Sequence, residues 1–252
     1  MVHPLAISIR PVTYADIPAL AKISGDSFIE DRHTQMKGLG KKPYVMEDVA
    51  LEDIASYLGS EKLVCVKAVD DTTGEPVGWS CWGFRGFEPQ EIPREDPGPR
   101  ENRSQTESPK TATVEEEPSV TGEIDDEVDI IARLTAMTDA DMNHWMRVLM
   151  PVGARCMYVV SLSVAPAAQS RGVGSALLKW GTDLADRFGV YAWVHSSEAA
   201  WRHYSKHGFE IVGTLDVDLD EWAPGPPPLE EGEGAIWGHY VFRYMKRFPK
   251  EI

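Results

Sequence analysis

Apolar and polar positions along this chain follow two periods, and the switches between them predict its elements. Ile7, Ile9 and Pro11 alternate against Ser8, Arg10 and Val12, which predicts a first strand over Ala6–Val12. Thr13-x-x-Asp16 then has the spacing of a capping box, and Ile17, Leu20, Ala21, Ile23 and Phe28 recur at helical intervals. Asp26–Met46 is mixed and polar, fitting a short helix and a loop. Glu47–Leu58 is read as a helix with Val49, Ile54, Tyr57 and Leu58 inward. Lys62–Val69 and Pro76–Phe84 form two strands about the turn chemistry of Asp70–Glu75. Pattern returns at Ile130, where Thr138-x-x-Asp141 is read as the cap of a helix running to Leu149. Tyr158–Val164 is a buried strand, and from Gly172 the spacing turns helical through Val173, Ala176, Leu177, Trp180, Leu184 and Phe188. A strand over Val190–His195 follows, then a short helix over Glu198–His207 stopped by Gly208. Strands over Phe209–Val217 and Ile236–Lys246 flank a loop rich in Pro and Glu.

Between Phe84 and Ile130 no period survives, and charge changes the picture. Glu88–Asp129 carries four basic against fourteen acidic residues, so it holds −10 of the chain's net −15. Rich in Pro, Glu, Ser and Thr, it cannot bury enough apolar surface to offset a chain entropy of about 1–2 kcal/mol per residue. It is expected to be a flexible acidic insertion within one domain spanning 1–252, with an acidic lid over a cationic substrate as the functional alternative. The net charge argues against nucleic acid and anionic membrane as partners. Cys65, Cys81 and Cys156 lack metal spacing and fit buried thiols of a reducing compartment. The N-terminal residues lack a signal-like pattern and no run of eighteen apolar residues occurs, so a cytoplasmic protein is expected, with a nuclear address left open.

One stretch carries chemistry. Gln169-Ser170-Arg171-Gly172-Val173-Gly174-Ser175 joins the Tyr158–Val164 strand to a helix, where backbone N–H groups can converge on an anion and glycines allow close approach. The local reading is a phosphate-binding turn. A Walker loop needs GxxxxGK[ST], which is missing. A dinucleotide fingerprint needs a third glycine where Leu177 stands, and Glu198 lies beyond a Ser-Ser turn. A tight corner with no ligand is the bland alternative.

Gln169-x-x-Gly172-x-Gly174, preceded by Leu162-x-Val164-x-Pro166 and followed by Ala176-Leu177-Leu178, resembles the acetyl-CoA signature of the GCN5-related N-acetyltransferases. Tyr204-x-x-x-Gly208-Phe209 resembles that family's downstream segment, about thirty residues later and in the expected order. Close matching covers roughly Tyr158–Val212. The resemblance implies an α/β (α+β) fold with a mixed, mostly antiparallel, twisted sheet flanked by helices and splayed at the motif strand. It also implies acetyl-CoA as co-substrate. The pyrophosphate would lie on the turn from Gln169 through Ser170, Arg171, Gly172, Val173 and Gly174 to Ser175, and the pantetheine arm along the backbone of Leu162, Ser163 and Val164. Tyr204 would protonate the departing thiolate, since a phenol with pKa near 10 stays protonated at neutral pH.

The acceptor implied is a primary amine: a small molecule, a lysine side chain or an N-terminus. An amine of pKa about 10.4 is neutral only about once in 2,500 molecules at pH 7, a deficit of about 4.6 kcal/mol. A base is therefore needed, and the motif strand offers Ser161 and Ser163 where some family members carry a glutamate. His195 is the first choice, then Glu198, with Asp26 and Glu30 behind them. His203 and His207 stand one helical turn apart; surface histidines are the simpler reading than a metal pair. Trp79, Trp82 and Trp193 read as core, and Trp222 as a pocket wall or core. The enzyme reading is an acyltransferase, monomeric or homodimeric, working by direct attack. The competing reading is a non-catalytic acyl-CoA sensor.

Overall fold

The computed structural model describes residues 3–42, 44–100 and 129–250. Its strands are β1 (Ile7–Pro11), β2 (Leu63–Asp70), β3 (Pro76–Arg85), β4 (Cys156–Val164), β5 (Ala192–Ser196), β6 (Glu210–Asp218) and β7 (His239–Arg247). Its helices are α1 (Ile17–Ser27), α2 (Arg32–Lys37), α3 (Met46–Gly59), α4 (Ile130–Leu149), α5 (Val173–Arg187) and α6 (Trp201–Lys206). The strands form one sheet in the order β1-β2-β3-β4-β5-β7-β6. Every pair is antiparallel except β4–β5. This is the mixed, mostly antiparallel, helix-flanked architecture expected.

Alternation along the strands sorts the two faces. Val64, Val66 and Ala68 of β2 pack with Trp82, Phe84, Met157, Ala192 and Val194 under Leu177 and Leu178 of α5. Cys65, Trp79 and Cys81 point the other way, against Leu20, Ala21 and Ile23 of α1 and Ile54 and Leu58 of α3. Helix α5 lies close on its face because Gly181 has no side chain: a Cβ there would sit 2.0 Å from the Trp82 ring. Helix α1 is clasped by Ser24, whose hydroxyl accepts from Trp79 Nε1 at 3.0 Å and donates to the Leu20 carbonyl at 3.1 Å. The three cysteines are buried free thiols, and Trp79, Trp82 and Trp193 are core.

Two expectations are corrected. Helix α4 begins eight residues before Thr138: Asp129 caps it by accepting from the amides of Ile131 and Ala132. Ile131, Leu134 and Thr138 are buried along one stripe, so Thr138 is interior and its hydroxyl bonds back to the Thr135 carbonyl. The start of the acidic segment is also ordered. Pro89–Glu91 forms a 3-10 turn, Ile92 is buried, and the Pro97 carbonyl accepts from the Tyr14 amide at 3.1 Å. Residues 101–128, where most of the expected insertion falls, lie outside the described residues.

Candidate functional site

Strands β4 and β5 part company at the centre of the sheet. Their parallel register covers Met157↔Ala192, Tyr158↔Trp193 and Val159↔Val194, and ends there. Beyond it β4 continues paired to β3 alone, and His195 and Ser196 of β5 to β7 alone. The point of divergence coincides with a bulge: Trp82 faces Val159 while Cys81 faces Ser161, leaving Val160 extra on β4. A bulge bends and twists its strand, which turns β4 away from β5. Past it, the β5-facing edge of Val160–Val164 lacks a ladder partner among the described residues, and offers backbone donors and acceptors to an extended guest.

This open edge runs into the glycine turn. Pro166–Ala168 makes one 3-10 turn, Gln169 Nε2 returns to the Val164 carbonyl at 3.2 Å, and Gly172 becomes the N-cap of α5. Ser170 and Gly172 both take left-handed backbone, φ 59° and 90°, so the chain doubles back before the helix. The N-terminal segment buttresses it: the Leu5 amide donates to the Arg171 carbonyl at 3.1 Å, and Arg171 Nε to the His3 carbonyl at 3.3 Å. Amides of the first turn of α5 are left for an anion.

Helix α6 packs over that first turn. His207 Nε2 lies 3.2 Å from Ser175 Oγ, and a Cβ on Gly174 would stand 3.4 Å from His203 Nε2. The two histidines are therefore half-buried against α5 and are not free surface residues. Among the described residues, no group of three or more metal-ligating side chains could hold a metal ion. Tyr204 is buried in the α5-side core and no hydrogen bond engages its hydroxyl among the described residues; burial alone pushes its pKa up. It stays protonated throughout the neutral range.

A family profile described as Acetyltransferase (GNAT) family matches residues 87–209, which include the bulged strand, the turn and Tyr204. The chain carries a GNAT acetyltransferase domain. Solved structures of the same fold include arylalkylamine N-acetyltransferase 2 of Aedes aegypti (TM-score 0.56, 12% identity, covering 97% of this chain and 99% of that one). Putative arylalkylamine N-acetyltransferase 7 of the same mosquito is another (0.57, 14%, 96% and 87%). A Corynebacterium glutamicum protein described as histone acetyltransferase HPA2 and related acetyltransferase is a third (0.53, 15%, 98% and 99%). No curated protein sequence matches the chain. Acetyl transfer is the activity of the GNAT family, and acetyl-CoA its usual donor.

Across the splay from the turn stands a column of rings. Trp145 of α4 stacks on Tyr244 at 4.9 Å, Tyr244 on His195 at 4.7 Å, and His195 on Phe242 at 4.9 Å. Phe242 meets Tyr240 at 4.7 Å and His33 of α2 at 4.9 Å. Carboxylates sit at both ends: Tyr244 donates to Asp141 at 2.6 Å and Tyr240 to Asp31 at 2.7 Å. Nε2 of His33 and Nε2 of His195 are enclosed with no partner among the described residues. Burial pulls both imidazole pKa values down to about 4, so both rings are neutral at pH 7. His195 thus stands on β5 just past its pairing with β4, with its Nε2 enclosed. Glu198 is committed elsewhere: its carboxylate accepts from Arg243 and from the Val241 amide, each at 3.0 Å. Asp26 pairs with Lys22 at the surface. A further cavity of about 120 Å³ borders the β1–β2 edge, lined by Pro11, Leu63, Cys65 and Arg94, and shares no residue with the turn.

Sequence reasoning passed over His33, Asp31, Asp141, Tyr240 and Tyr244. One signal was readable: Tyr240, Phe242 and Tyr244 recur at period two, putting three aromatics on one face of the last strand.

Proposed function

We propose that this chain is an acetyl-CoA-dependent N-acetyltransferase that moves the acetyl group to a primary amine by direct attack. The chain would act as one domain interrupted by the acidic 88–129 segment. The observation that carries the reading is the split between β4 and β5 beyond Val159 and Val194, opening straight onto the turn at Gln169–Ser175. A pantetheine arm can lie along the open β4 edge and bond to the backbone of Leu162, Ser163 and Val164, with its pyrophosphate on the turn. The thioester then reaches the split itself, between the Tyr204 side and the His195 side.

The chemistry divides between those two residues. The amine lone pair forms the new C–N bond to the acetyl carbonyl, and the tetrahedral intermediate collapses by breaking the C–S bond. Tyr204, held protonated by burial, supplies the proton that the CoA thiolate takes up. As the C–N bond forms, the attacking nitrogen becomes acidic, and neutral His195 has a lone pair to receive its proton, directly or through one water. Glu198, bonded to Arg243 and to the Val241 amide, ties the residues before α6 to β7. The acceptor could be a small amine, a lysine side chain or an N-terminus; the carboxylates Asp31 and Asp141 favour a cation entering from the ring column.

Calorimetry with acetyl-CoA, followed by thiol release with a panel of amines, tests this. Binding with amine-dependent release of CoA is the expected result. Binding without release from any amine would leave a CoA-binding sensor, and absence of binding would refute both.

A further inference from the structure

The bond between His207 and Ser175 has a consequence for how the turn holds an anion. Ser175 is the third residue of α5, half-exposed at the end where helix amides are free, and its hydroxyl has one proton to give. Its Oγ lies 3.2 Å from His207 Nε2. In the neutral Nδ1–H tautomer, Ser175 donates to Nε2 and turns only lone pairs toward the turn, where they oppose a phosphate oxygen. In the imidazolium, Nε2–H donates to Oγ, and the serine proton is released to point at the anion.

We infer that His207, through Ser175, couples binding of the CoA pyrophosphate to uptake of a proton by the enzyme. The inference rests on the cofactor reading above and adds a regulator to that site. In the free protein the surroundings of His207 lower its pKa and favour the neutral ring. Burial disfavours its charged form first; Arg247 and Lys250 add positive charge, and His203 (4.9 Å between centroids) opposes a second imidazolium beside it. The repulsion is blunted on one side, because Asp186 forms two 2.7 Å bonds with the Arg247 guanidinium and accepts from the Lys250 amide. Arg247 Nε donates to the His207 carbonyl at 3.2 Å, which fixes the end of α6. Lys206 also stands on α6, beside His203. A pyrophosphate at the turn would bring negative charge within about 4–6 Å of the imidazole, enough to favour its protonated form. His203, enclosed beside Gly174, shares the desolvation but has no hydroxyl to redirect. His207 acts here as a positioning residue.

Proton uptake separates this from a packing role. The full chain is titrated with dephospho-CoA, which lacks the titrating 3′-phosphate, in two buffers of different ionisation enthalpy at about pH 6.5, near the ordinary imidazole pKa. The expected result is net uptake of roughly half a proton per ligand, and a Kd that tightens about three- to tenfold from pH 8 to pH 6. His207→Gln keeps a donor for Ser175 but cannot titrate, so uptake should vanish and the Kd should become flat with pH. Ser175→Ala should weaken binding and reduce the uptake to what the anion's charge alone draws, and His203→Leu should retain the parent uptake. Binding without uptake in the parent protein, or equal uptake in a folded His207→Gln variant, overturns the coupling and leaves the cofactor reading standing. Loss of uptake in His203→Leu instead of His207→Gln also overturns it. If neither dephospho-CoA nor acetyl-CoA binds, the cofactor reading itself fails.

Discussion

The two sides of the β4–β5 split are built on opposite plans. The turn side is made of backbone: a bulge at Val160, left-handed residues at Ser170 and Gly172, and free amides at the start of α5, all within thirty residues of chain. The ring side is made of side chains drawn from α2, α4, β5 and β7, spread from Asp31 to Tyr244. Backbone devices have few solutions and hold one shape whatever surrounds them. Side-chain assemblies vary freely from one protein to the next. On the function proposed above, the backbone-built half would meet the donor and the side-chain-built half the acceptor.

The sharpest way to break this contrast is to spoil the turn and leave the rings untouched. Gly174 has ordinary backbone and room for a Cβ, 3.4 Å from His203 Nε2, so Gly174→Asp should fold. Its carboxylate would oppose the pyrophosphate at close range, where like charges cost several kcal/mol at an effective dielectric near 20. Acetyl-CoA affinity should fall by at least about a hundredfold in calorimetry. An unchanged Kd would remove the donor from the turn.

The ring side should show itself in acid. His33 and His195 are held neutral by burial with pKa values of about 4, while unfolded imidazoles titrate near 6.5. The unfolded chain therefore binds more protons between those values, and stability falls as pH drops from about 6.5 toward 4. The loss is at most about 3 kcal/mol per ring. Urea melts across that range should steepen this way, and His33→Asn together with His195→Asn should flatten the profile. A parent profile that is already flat would mean the rings are hydrated in the folded state.

The same contrast explains what could be read in advance. The switch from period two to helical spacing around Gly172, with the Tyr204–Phe209 segment downstream, is local, so the turn and its neighbours were legible. The start of α4 was missed because the capping signal Thr138-x-x-Asp141 occurs inside a longer stripe, and Asp129 ends an acidic run that masks it as a cap. The commitment of Glu198 to Arg243, forty-five residues away, has no local signature. Nor has the pairing of His33 on α2 with Phe242 on β7, which meet only in the folded chain.

Tyr204 tests whether the chemistry straddles both sides. Tyr204→Phe keeps the buried ring and deletes a hydroxyl that no described residue engages. Turnover should fall about a hundredfold, the lower range for a lost general acid, with acetyl-CoA affinity unchanged. Equal turnover in the variant would assign thiolate protonation elsewhere.

The smallest effect should come from the far end of the column. Tyr244 is buried between Trp145 and His195, and its hydroxyl donates to Asp141 at 2.6 Å. Tyr244→Phe preserves both stacks and removes one bond to a charged acceptor. Bonds of that kind contribute about 1.5–3 kcal/mol, and half-exposed Asp141 regains part of the loss from water, so about 1.5 kcal/mol is expected in urea melts. The informative readout is its direction in catalysis. Acetyl-CoA affinity should hold, because the described ring and hydrogen-bond partners of Tyr244 lie away from the turn, while the KM for a cationic amine should shift by a few fold as Asp141 swings free. A change in acetyl-CoA Kd, with amine KM constant, would show that the column braces the donor side, and the division between a backbone-built and a side-chain-built half would collapse.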